Sequence, residues 1–172
     1  MSQKSTASYR FGDLLALARQ SWVAQMAREL AAAGYGDYRR SDAAVMRLLL
    51  RGSMSIGQLG EALGVTRQAA RKVVGGLERR GYATTARDDH DARQVNVLLT
   101  PEGATYAEEV VAVIDRLNRA LCQRVDPAAL TAADGVLRAV LADDHTRTLA
   151  AHLPPPPPVA PGSGRLRRPD RL

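Results

Sequence analysis

The sequence predicts a mainly α fold with one small β-hairpin, and three observations carry that expectation. Two short amphipathic stretches joined by a small-residue turn occupy residues 55–80. Two β-type segments, the second alternating with period two, flank a charged, turn-prone stretch at residues 82–99. Long apolar stripes at helical spacing lie before and after this region. Together they describe a winged helix-turn-helix head on a helical dimerisation body.

Phe11, Leu14, Leu15, Ala18, Trp22, Met26 and Leu30 trace the first helical stripe, which runs to about Ala33 and stops at Gly34 and Gly36. Its apolar face exceeds what a small head can bury, so a second subunit is expected to cover part of it. Ser41 reads as the N-cap of a second helix to about Arg51, with Val45, Leu48 and Leu49 inward and Gly52 ending it.

Ser55 and Gln58 have the spacing of a capping box, and the short helix they open carries Ile56, Leu59 and Leu63 as its stripe. Gly60, Gly64, Val65 and Thr66 then supply a small residue at a helix crossing, a glycine able to take positive φ, an apolar plug and a new N-cap. The next helix should run from about Arg67 to Arg80 and stop at Gly81, with Ala70, Val73, Val74 and Leu77 turned inward. Arg67, Gln68, Arg71 and Lys72 are left on its outer face near the N-terminus.

In a helix-turn-helix that end enters the major groove of double-stranded DNA, where Arg pairs with guanine, Gln with adenine, and Lys with phosphate or guanine. A solvated charged face has the same periodicity, but the turn upstream and the ribbon downstream weigh toward DNA. Gly75 and Gly76 interrupt this helix at a cost of up to about 1 kcal/mol each relative to alanine, either permitting close backbone approach or loosening it.

The strands should span Tyr82 to Ala86 and Gln94 to Leu99, with Val95, Val97 and Leu99 alternating. Arg87, Asp88, Asp89, His90, Asp91, Ala92 and Arg93 form the tip between them. Thr100 and Pro101 offer an N-cap and first-turn pair for a helix whose stripe is Ala107, Val110, Ile114, Leu117, Leu121 and Val125, about 37 Å long at 1.5 Å per residue. Asp126 and Pro127 break the pattern. Thr131 and Asp134 suggest another capping box before Val136, Leu137, Val140 and Leu141.

The run Leu77, Glu78, Gly81, then Asp91 and Arg93, then Leu99, Thr100 and Gly103 resembles the MarR family of bacterial transcriptional regulators over roughly residues 10–150. The resemblance implies a winged helix-turn-helix homodimer on pseudo-palindromic operators, usually a repressor released by a small-molecule effector. It places Arg93 in the minor groove, with Asp91 steadying its guanidinium. The chain departs from the family at Thr85, where an arginine often precedes the wing aspartate by six residues; Arg87 is the nearest replacement, so wing contacts are expected to be redistributed. The expected DNA-binding set is Thr66, Arg67, Gln68, Arg71, Lys72, Arg87, Asp91 and Arg93.

The organisation read from these elements is a dimerisation helix at 1–40, the head at 41–100, dimerisation helices at 101–153 and a Pro-rich basic tail at 154–172. Of the net charge of +6, half falls between Thr66 and Arg93 and half in the tail, a distribution that suits a polyanion at the head. The tail is open to three readings: nonspecific DNA attraction, an inert extension, or a proline-motif partner.

No dinucleotide fingerprint, P-loop, nucleophile elbow or paired-histidine protease motif occurs, so no enzyme activity and no cofactor are expected. Asp88–Asp89–His90 and Asp143–Asp144–His145 contain metal-binding side chains without a full ligand set, and no metal is expected. The single Cys122 excludes an intramolecular disulfide and reads as a buried structural thiol rather than a redox sensor.

No apolar run reaches the ~20 residues of a membrane span and no signal-peptide core opens the chain, so a cytoplasmic protein without a membrane partner is expected. Trp22, Met26, Tyr35 and Tyr38 are candidate lining for an effector cleft, although such residues on apolar faces are more often core. The competing functional class is a winged-helix module for protein interaction or general chromosome binding.

Overall fold

The computed structural model describes residues 10–87 and 95–141. In chain order the elements are α1 (Phe11–Ala32), α2 (Asp42–Leu49), β1 (Met54–Ser55), α3 (Ile56–Leu63), α4 (Arg67–Glu78), β2 (Ala83–Arg87), β3 (Val95–Leu99), α5 (Pro101–Cys122) and α6 (Pro127–Val140). The strands form an antiparallel sheet of order β1-β3-β2, with Ala83 opposite Leu99, Thr85 opposite Val97 and Arg87 opposite Val95.

The turn chemistry of the head follows the sequence closely. Ser55 Oγ accepts from Gln58 N–H while Gln58 Oε1 accepts from Ser55 N–H, closing the capping box of α3. Gly64 takes φ 62°, and Thr66 Oγ1 accepts from Ala69 N–H to cap α4. A Cβ on Gly60 would lie 3.1 Å from Val65 O, so α3 and the start of α4 cross at the distance a glycine permits. Val65 itself is exposed and plugs nothing. The assigned α4 ends at Glu78 rather than Arg80, because Arg79 and Arg80 form a closing turn: Gly81 has φ 77° and Tyr82 N–H donates to Leu77 O.

One core joins α1, α2, head and α5. Leu30, Val45, Met46, Leu59, Leu77, Val97, Tyr106, Val110 and Val113 are its most buried side chains. Val97 is buried and Val95 exposed although they share a strand face, since the ribbon projects past the core at its Val95 end. The two-residue β1 pairs Met54 with Val97 and Ser55 with Asn96, an edge too short to show alternation in sequence.

Thr100 caps α5 as expected, with Pro101 in its first turn. Gly103 explains why this turn is so constrained. A Cβ there would sit 1.7 Å from Tyr82 O, and Thr100 donates both to Tyr82 O (3.2 Å) and, through Oγ1, to Gly81 O (2.6 Å). The long helix therefore starts directly against the turn that ends α4.

Three further expectations need correction. Ser41 makes no side-chain cap; the neighbouring Asp42 carboxylate accepts from Arg39 N–H instead. The helical pattern does break before Pro127, but α6 opens there and not at a Thr131–Asp134 box: Asp126 caps it through Ala128 N–H, while Thr131 bonds back to Pro127 O and Asp134 pairs with Arg138. Cys122 is exposed, since α5 ends with it and the core lies on the preceding turns. Met26 is core, with Trp22, Tyr35 and Tyr38 packed against the cluster, in line with the expectation that such residues on apolar faces are more often core than cleft lining.

Candidate nucleic-acid interface

Helix α4 separates its residues by chemistry. Ala70, Val74 and Leu77 are buried, with Val73 partly so, which holds one face against the core. Thr66, Arg67, Gln68, Arg71 and Lys72 are all exposed, at and just after the N-cap. Residues one, two, five and six of the helix thus form a short polar row at the end a helix-turn-helix inserts into a groove. Three long cationic side chains and one amide at that spacing can reach both base edges and phosphates.

Arg87 closes β2 and is exposed opposite Val95, at the base of the ribbon tip. Thr85, where an arginine was expected by resemblance, is exposed two residues earlier. Asp91 and Arg93 lie outside the described residues, as do both acidic-histidine triplets and the proline-rich tail. Among the described residues no group of His, Cys, Asp and Glu is arranged to hold a metal ion, and no helix is long and apolar enough to cross a membrane.

At the other end of α4 lies a buried ionic cluster that the sequence did not reveal. Asp42 is completely buried at the start of α2. Its Oδ2 accepts from Arg80 Nη1 (2.8 Å), Tyr106 Oη (3.1 Å) and Arg39 N–H (3.0 Å), and its Oδ1 accepts from Arg80 Nη2 (3.0 Å). Arg80 also donates Nε to Gly76 O and Nη1 to Asp37 O, so one guanidinium ties the end of α4 to the α1–α2 connection. Tyr82 stacks on Tyr106 at 4.4 Å and donates to Asp37 Oδ1.

Burial of Arg80 opposes its charge, but the hydrogen bonds and charge of Asp42 outweigh this and hold it above its ordinary pKa. Burial, reinforced by the Asp42 charge, pushes the Tyr106 phenol far above its ordinary value. The two shifts keep the Arg80 guanidinium charged and the Tyr106 phenol neutral. Asp42 and Arg80 lie 38 residues apart, and neither residue type at a helix end announces a buried partner.

Two further arginines gather on α4. A Cβ at Gly76 would lie 3.4 Å from Arg39 Nη1 and 3.9 Å from Arg79 Nη2, and one at Gly75 would lie 3.6 Å from Arg79 Nη1. The paired glycines therefore permit a close approach, and α4 runs unbroken through them.

Residues 37–94 match the model of the MarR family. No curated protein sequence matches the chain. Among solved structures, the S. aureus MepR–DNA complex is similar at TM-score 0.69 and 16% identity, covering 78% of this chain and 98% of that one. Bordetella bronchiseptica BpsR, whose DNA binding is regulated by 6-hydroxynicotinic acid, is similar at TM-score 0.62 and 25% identity, covering 82% and 99%. PcaV from Streptomyces coelicolor, a transcriptional regulator in complex with its natural ligand, is similar at TM-score 0.63 and 22% identity, covering 83% and 99%. The head of the chain thus matches the MarR family model, and its fold is similar over most of its length to solved winged-helix regulators.

Proposed function

We propose that this chain is a sequence-specific, DNA-binding transcriptional regulator, a cytoplasmic homodimer that represses from pseudo-palindromic operators and is released by a small-molecule effector. The observation that carries the reading is the division of α4: Arg67, Gln68, Arg71 and Lys72 exposed together at its N-terminal half, and the opposite face locked into the core. Arg67, Gln68 and Arg71 read base edges, Lys72 holds phosphate or guanine, and Thr66 fixes the helix start. Arg87, with Asp91 and Arg93 on the wing, adds contacts beside the minor groove.

Dimerisation is supported by apolar side chains exposed among the described residues, Phe11, Leu14 and Leu17 in α1 and Val136, Leu137 and Val140 in α6. Apolar side chains exposed on successive turns of both helices suit cover by a second subunit. MepR bound to DNA, and the ligands of BpsR and PcaV, support the DNA and effector parts by kinship of fold.

A nuclease footprint of the full chain on DNA selected from random sequence tests the proposal. The expected result is a bounded protected segment with two inverted half-sites. Protection without a boundary would mean general chromosome binding instead.

A further inference from the structure

Base reading does not explain why the middle of α4 carries Gly75 and Gly76. Along the helix, steps of four residues put Arg71, Gly75 and Arg79 in one row and Lys72 and Gly76 in the next. The absence of two side chains leaves bare backbone between the base-facing end and Arg79. Arg39, from the α1–α2 connection, reaches across that gap.

Arg39 is carried on a braced stem. Its N–H is bound by Asp42 Oδ2, and that buried carboxylate is clamped by Arg80 and Tyr106. Arg79 sits on the turn that Arg80 secures through Gly76 O. The two exposed guanidiniums thus converge on one position. Among the described residues neither forms an ion pair or a side-chain hydrogen bond, although five other ion pairs are made.

Like charges brought together, with no ion pair of their own among the described residues, are arranged for an anion from outside. Guanidinium forks match the paired oxygens of a phosphodiester. When the N-terminal end of a recognition helix lies on base edges, flanking cations meet the sugar–phosphate backbone.

We infer that Arg39 and Arg79 form a phosphodiester-binding pair on the C-terminal half of α4, and that Gly76 is bare so that Arg39 can lie across the helix. The pair fixes the depth and register at which Arg67, Gln68 and Arg71 meet the bases. This rests on the DNA-binding reading above.

The test uses the full chain, a duplex selected from random sequence by that chain, and a mixed-sequence duplex of equal length, with anisotropy measured across a salt series. Arg39→Ala and Arg79→Ala should each weaken both duplexes and make log K against log salt shallower by about one per subunit, leaving the preferred sequence unchanged. Arg39→Lys should keep most of the slope. Gly76→Leu, which retains every charge but occupies the gap, should weaken binding as Arg39→Ala does.

Unchanged slopes in both alanine variants, with native circular dichroism, would overturn the pair. If Arg71→Ala still altered base preference in that case, the DNA-binding reading would stand without it. A wild-type chain that bound neither duplex would reject both.

Discussion

Gly103→Ala should be among the most damaging small substitutions in the protein. The new Cβ would sit 1.7 Å from Tyr82 O, more than an ångström inside the 3.0 Å below which real Cβ contacts are essentially never seen. The obstacle is backbone and cannot swing away. Moving the first turn of α5 far enough breaks the bonds from Thr100 to Tyr82 O and Gly81 O, about 1 kcal/mol net for each.

Residual strain adds about 1–3 kcal/mol, and alanine's better helix propensity returns about 1 kcal/mol. The expected net loss is therefore about 2–4 kcal/mol. Urea unfolding followed by circular dichroism should show a lower midpoint at unchanged slope. Gly135→Ala in α6, with nothing within 4 Å of its Cβ position, is the control and should be neutral or slightly stabilising. If Gly103→Ala proved as stable as Gly135→Ala, the explanation of the Leu-Thr-x-x-Gly segment as a steric lock between wing base and long helix would be wrong.

Asp42→Ala leaves Arg80 buried without its carboxylate and should cost about 3–5 kcal/mol, whereas the double change Asp42→Leu with Arg80→Met should recover part of that loss; equal loss in both would refute the ionic account. The raised Tyr106 pKa has a definite sign. Unfolded tyrosine ionises near its ordinary value of 10.0 while the buried phenol stays neutral, so the unfolded state binds fewer protons above that pH and stability falls as pH rises. The slope should approach 1.4 kcal/mol per pH unit, by the ~1.4 kcal/mol per pKa unit relation, and Tyr106→Phe should remove that contribution in pH-dependent denaturation. Val140→Asp, on the exposed apolar face of α6, should shift sedimentation toward monomer without unfolding the head; an unchanged dimer would move the interface elsewhere.

Local chemistry made the head legible. Ser55–Gln58, Gly64 and Thr66 act within a few residues of themselves, so their spacing suffices to place α3, the turn and α4. Ala70, Val74 and Leu77 likewise reveal the inner face of α4, and with it the outer polar row. The cluster of Asp42, Arg80 and Tyr106 was not legible because its members meet only after α2, α4 and α5 have packed.

The first turns of helices misled where a better capping residue stood nearby. Asp42 displaced Ser41 in bonding Arg39 N–H, and Asp126 displaced Thr131 because a proline in the first turn starts a helix as readily as it ends one. Cys122 carries apolar neighbours in sequence, but the described residues do not supply the covering surface those neighbours imply. The glycine pair in α4 was open to either reading from sequence. Only the position of Arg39 distinguishes close approach from a weak helix.

The central claim is that the N-terminal face of α4 reads base sequence. It is tested most directly by measuring Arg71→Ala against wild type on a selected duplex and a panel of its single-base variants. The account predicts a loss of about 1–3 kcal/mol on the selected duplex and relaxed preference at one position in each half-site, with the other positions unchanged. A variant with native folding that bound every duplex in the panel as wild type does, with the same preferences, would contradict it.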